Sequence, residues 1–80
     1  MEVDTARTVI KAAFESASVL QMVLPALRVQ CTPAEYKDYA RAIAAAIDAI
    51  GVKVLEKALA AHPELRAEVD ASIAATGRYR

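Results

Sequence analysis

The stretch that decides the fold is TPAEYKDYARAIAAAIDAIGVKVLEKALAAH, residues 32–62, a run with a start signal, an apolar stripe and an end. Thr32 is placed to cap a helix, Pro33 takes the first helical position where its missing N–H is harmless, and Glu35 can reach back to close a capping box. Cys31 and Tyr36 then stand at the positions of a hydrophobic staple. Behind them Tyr36, Ala40, Ile43, Ile47, Ile50, Val54, Ala58 and Ala61 recur every three or four residues, which keeps them on one face as a seam. Lys37, Asp38, Arg41, Asp48 and Glu56 lie well away from it.

Gly51 falls inside this run, and either it splits the helix as a C-cap or the helix continues through it. Ile50 and Val54 stay in phase across it, so continuity is expected. Gly51 also lies beside Ala44, Leu55 and Ala58 on the wheel, an edge along which a neighbouring helix has room to approach closely. The run ends at His62, because Pro63 disfavours helix at the residue before it and suits the first turn of the next.

Upstream, Asp4 and Thr5 are acceptable N-caps, and Asp4, Arg7, Thr8, Lys11, Glu15 and Ser18 form one wet stripe. Ala6, Val9, Ile10, Ala13, Ala17, Leu20 and Leu24 take the opposite side. From Val19 the pattern changes: Met22, Pro25 and Val29 fall where the polar stripe had been, so residues 19–29 are apolar nearly all round. A helix of that kind is buried all round, and these residues are expected to lie between other helices, some from a second subunit. Pro25 either kinks this helix or stops it and starts a short turn to Val29; a kink is favoured, with a buried Gln21 filling the hydrogen-bonding gap.

Downstream, Glu64, Glu68 and Asp70 load the start of a third helix with acid, as the helix dipole prefers. Leu65, Val69 and Ile73 form its narrow apolar stripe, Gly77 suits its C-cap, and Arg78-Tyr79-Arg80 reads as a frayed tail. The fold class is therefore all-α, in a three-helix antiparallel arrangement within one domain, residues 1–80.

Composition says how such a chain is completed. Its 80 residues are 56 % apolar, more than so small an interior can hide, so a homodimeric helical bundle is expected. The residues assigned to its interface are Leu20, Met22, Val23, Tyr36, Ile43, Ile47, Ile50 and Val54. The formal net charge of +0 removes the electrostatic argument for nucleic acid or an anionic membrane. Acid near the start, no unbroken 18-residue apolar run and a single Cys31 fit a soluble cytoplasmic protein.

Candidate chemistry is sparse. His62 is the sole histidine and lacks neighbours for a zinc or copper site. Cys31 reads as a packed thiol, since a nucleophile would want His62 close by in space. Glu35 already caps and Asp38 has Arg41 and Lys37 beside it, which leaves no free carboxylate pair for acid–base work. A DNA-reading last helix would turn Glu64, Glu68 and Asp70 toward phosphates, opposed only by Arg66, Arg78 and Arg80. No catalytic, cofactor or metal residues are assigned. The expected function is a non-enzymatic protein-interaction or regulatory module, with a carrier of a small apolar ligand between the first helix and the Ile43/Ile47/Ile50 face as the alternative.

In residue order, Pro33 and Glu35, Tyr36/Tyr39, Ile43/Ile47, Leu55/Leu59 and His62-Pro63-Glu64-Leu65 resemble a set of small uncharacterised bacterial helical proteins. The resemblance covers the second half of the chain and implies no activity, cofactor or substrate.

Overall fold

A computed structural model describes every residue except Arg78 and Arg80. The described chain is all-helical: α1 (Val3–Met22), α2 (Leu24–Gln30), α3 (Pro33–Ala49), a π-helical segment (Ile50–Leu55), α4 (Glu56–Ala61) and α5 (Leu65–Thr76). These elements form two rods and a closing helix. The first rod is α1 with α2, the second runs from α3 through α4, and α5 folds back after Pro63.

Local chemistry explains the breaks. The Thr32 capping box closes from both sides: the Glu35 N–H donates to Thr32 Oγ1 at 3.2 Å, and the Thr32 N–H donates to Glu35 Oε1 at 2.8 Å. That second bond holds the Glu35 carboxyl below its ordinary value. Arg28 lies over the Tyr36 ring, 5.2 Å from its centroid, and ties α2 to the start of α3. At the far end Gly77 adopts φ +77°, the left-handed conformation that closes α5.

The first rod is interrupted at a single residue, Val23, between α1 and α2. Val23 keeps right-handed helical angles, and its N–H donates to the Leu20 carbonyl three residues back. The chain skips one regular bond and resumes at Leu24, placing Pro25 in the first turn of α2, where its missing donor costs little. Gln21 does not fill the gap; it is exposed. At the start of α1 the cap falls on Glu2 and makes no side-chain bond. Asp4 and Thr5 are inside the helix instead, where Asp4 accepts an ion pair from Arg7 at 2.9 Å.

Gly51 does not divide the second rod, yet the rod is not plain α-helix there. Residues 50–55 widen to π hydrogen bonding, which takes up one extra residue and resets the phase of everything after it. In an unbroken α-helix, at 3.6 residues per turn, Leu59 would stand about 120° away from Ile47. The wide turn brings Leu59 back, so Ala58 and Leu59 are buried and Leu55 half-buried, while Val54 is 42 % exposed and Ala61 faces solvent. Of the seam residues past Ile50, Ala58 is therefore buried as the spacing predicts, while Val54 and Ala61 are not. Nothing lies within 4 Å of where a Cβ on Gly51 would sit, so no neighbouring helix uses that edge within the chain.

The core occupies one end of the molecule. Ala6 and Ile10 of α1, Ala58 and Leu59 of α4, Leu65 and Val69 of α5, and Tyr79 form one cluster, edged by Val3, Val9, Phe14 and Leu55. The start of the first rod lies against the end of the second, and α2 lies against α3. The ion pair from Arg7 to Glu68 at 3.1 Å joins α5 to α1. Tyr79, read as part of a frayed tail, is 6 % exposed and meets Phe14 with ring centroids 6.1 Å apart; Arg78 and Arg80 lie outside the described residues.

Two stability changes follow from this packing. Thr32→Ala should lower the unfolding free energy by about 1 kcal/mol in a denaturant titration, through the lost cap. Gly51→Ala, with negative φ and open space, should raise it by about 0.5 to 1 kcal/mol; a loss instead would show that this edge is occupied in solution.

Candidate functional site

Between Ala13 and Ala58 the chain contains no buried residue. Here the rods touch along one line only. Leu20, Leu24 and Leu27 from the first rod and Tyr36, Ala40, Ile43 and Ile47 from the second are each half-covered. Outside that line the first rod exposes apolar side chains. Thr8, Lys11 and Glu15 are followed at helical spacing by Val19, Met22 and Ala26 on the same solvent side. That face is polar where the core exists and apolar where it does not.

On one flank the gap between the rods widens into a groove of 330 Å³ lined by Gln21, Leu24, Ala40, Ile43, Ala44, Ile47 and Asp48. Its floor is aliphatic and its rim carries one amide and one carboxylate. The groove brings together Ile43 and Ile47 among the assigned interface residues. Leu20 and Tyr36 are half-buried in the line between the rods, and Ile50 is half-covered at the start of the π segment. Met22 is 73 % exposed and Val23 sits at the bend. Val54 is turned away past the π segment. Within the single chain, residues 19–29 are thus not enclosed by other helices, and Val29 is 84 % exposed.

Sequence spacing missed Gln21, Ala44 and Asp48 as groove residues. Asp48 was placed away from the seam, and its angle to Ile47 on the helix is indeed wide. The groove reaches it because the rods part on that side. The adjacency of Asp48 to the Ile43/Ile47 ladder was the only available signal.

The other polar cluster sits at the core end. His62 Nε2–H donates to the Met1 carbonyl at 2.7 Å, and Nδ1 lies 3.1 Å from Glu64 Oε1. Both contacts are satisfied only when both ring nitrogens carry protons, so the Met1 carbonyl first and the Glu64 carboxylate second raise the His62 value. The Glu64 carboxyl is held low, chiefly by its own backbone N–H and then by His62. Burial pushes the Tyr79 phenol up. The His62 contacts fasten the chain's start to the α4–α5 turn.

Among the described residues no group of three or more His, Cys, Asp or Glu is placed to hold a metal ion. Cys31 is a half-covered thiol at the turn between the rods, far along the chain from His62. Averaged over 18 residues, the rod spanning 3–30 reaches a mean hydropathy of 1.2 with 11 % of the window buried, so by length and composition alone it is apolar enough to cross a membrane. Lys11, Glu15, Gln21 and Arg28 break the rod into shorter apolar runs without lowering the average far. No family model, curated protein or solved structure matches the chain.

The His62 contacts predict a pH dependence whose sign is fixed. A histidine raised in the folded state stabilises the fold fully below its unfolded value of 6.5 and loses that contribution as pH rises through the higher folded value. Between about pH 6 and pH 8 the thermal midpoint should therefore fall, and in His62→Gln that fall should vanish. An unchanged slope in the variant would remove His62 as its source.

Proposed function

We propose that this chain works as a non-enzymatic homodimeric interaction module, in which the uncovered half of each copy is completed by the other. The observation that carries the reading is the absence of any buried residue between Ala13 and Ala58 in a stretch rich in Leu, Ile and Val. Area supports it. The chain exposes 5655 Å², whereas a folded monomer of 8.6 kDa exposes about 4,700 Å². The excess is close to the roughly 800 Å² that each partner contributes to a stable protein interface. Extension points the same way, with a radius of gyration of 14.8 Å against about 12 Å for a compact chain of this length.

In this reading the antiparallel hairpins of two chains pair into a bundle in water. Leu20, Met22, Val23, Tyr36, Ile43, Ile47 and Ile50 lie at or beside the joined surface, and the dimer presents a combined face to a further protein. The core end, with its polar exterior of Asp4, Arg7, Glu64 and Glu68, stays outside the contact.

A second reading is favoured by one feature, the groove of 330 Å³ with its floor of Leu24, Ile43 and Ile47. Its volume falls within the range of small-molecule sites, and a molecule with an apolar body and a donor group would match Gln21 and Asp48. A carrier of this kind retains its ligand through gentle purification.

Sedimentation equilibrium at micromolar concentration tests the first reading: a particle of twice 8.6 kDa supports it, and a monomer at all concentrations rejects it. Native mass spectrometry of the same preparation should show protein alone. A retained small molecule on a monomer would favour the carrier, and co-sedimentation with neutral lipid vesicles would show that a membrane covers this face instead.

A further inference from the structure

We infer that the second copy docks about a two-fold axis crossing α3 between Ala44 and Ala45, so that Arg41 of each copy pairs with the partner's Asp48. This rests on the dimer reading above and specifies its register.

Arg41 and Asp48 are seven residues, two helical turns, apart on one side of α3. They are equally distant, in opposite directions, from the midpoint between Ala44 and Ala45. Any pairing of two α3 helices that runs antiparallel about that midpoint brings Arg41 opposite Asp48 twice, which is the self-complementarity a closed two-fold interface requires. Both side chains are exposed, and among the described residues neither takes part in an ion pair within its own chain. Their opposite charges are thus available to a partner.

Shape agrees with charge. The side chains at the crossing point are Ala44 and Ala45, both exposed, so the two backbones can approach closely where the axis passes. Ala44 and Asp48 also line the groove with Gln21, Leu24, Ile43 and Ile47, so this pairing borders the groove along its Asp48 rim. A bidentate Arg–carboxylate contact at the margin fixes the register that an apolar surface alone leaves loose.

The alternative register, one turn away, would pair Lys37 with the partner's Asp48. It would set Arg41 opposite the partner's Ala44 and leave that charge without a counterpart.

Charge reversal in the full-length chain separates these outcomes. Asp48→Arg alone and Arg41→Asp alone should each weaken self-association about tenfold or more, because like charges then face one another. Mixed in equal amounts, the two variants should form a heterodimer, resolved by mass in native mass spectrometry, since each supplies the charge that the other lacks. The double variant should regain most of the wild-type association. Circular dichroism should stay unchanged throughout, both positions being exposed. A wild-type dimer that ignores both reversals, or an Asp48→Arg variant that pairs with Lys37→Asp rather than Arg41→Asp, overturns this register and leaves the dimer standing. A wild-type monomer overturns both.

Discussion

Apolar burial in this molecule is confined to one end, and the rest of the structure follows from that confinement. Three helices are needed to enclose a core on all sides, and only the first turns of α1, the end of the second rod and α5 are in place to do so. Ile10 and Leu65 become fully buried there, while Leu20, Leu24, Ile43 and Ile47, no less apolar, reach only half-cover because two rods in contact shield one line. A short closing helix cannot extend to the open half. The length of α5 therefore sets how much of the hairpin is self-sufficient.

The π segment belongs to the same constraint. Upstream of it the second rod faces α2 and the far part of α1 with Ile43 and Ile47; downstream it must face α1 and α5 together with Ala58 and Leu59. A plain α-helix would keep Ala58 in phase with Ile47 and turn Leu59 about 120° away. The extra residue absorbed over 50–55 lets a single continuous rod serve two different packing partners, and Gly51 lies within it. The His62 contacts to Met1 and Glu64 then close the core end against fraying.

Much of this was legible in the residues themselves. Thr32-Pro33-Ala34-Glu35 specifies its capping box by chemistry that acts over four residues, so no tertiary context is needed to read it. Gly77 and the Ala6/Ile10/Ala13 face were plain for the same reason. The π segment was not, because its cause lies in how far Ile47 and Leu59 must rotate to meet different neighbours, which spacing within one helix cannot report. Tyr79 was misread through its closeness to the chain end, although an aromatic ring finds burial wherever a partner such as Phe14 is within reach. For the groove, Ile43 and Ile47 were legible as apolar and in phase; Gln21 and Asp48 were not, because only the divergence of the rods puts them on its rim. Residues 19–29 were read as apolar all round, and the single chain leaves their outer side uncovered.

Hydrogen–deuterium exchange followed across protein concentration tests most directly the claim that a second copy completes the open half. Amides in 19–30 and 36–50 should gain protection as concentration rises from nanomolar to tens of micromolar, while those around Ile10, Leu59 and Leu65 stay nearly constant. Protection in the open half that does not change with concentration would contradict the account, because that half would then owe nothing to a partner.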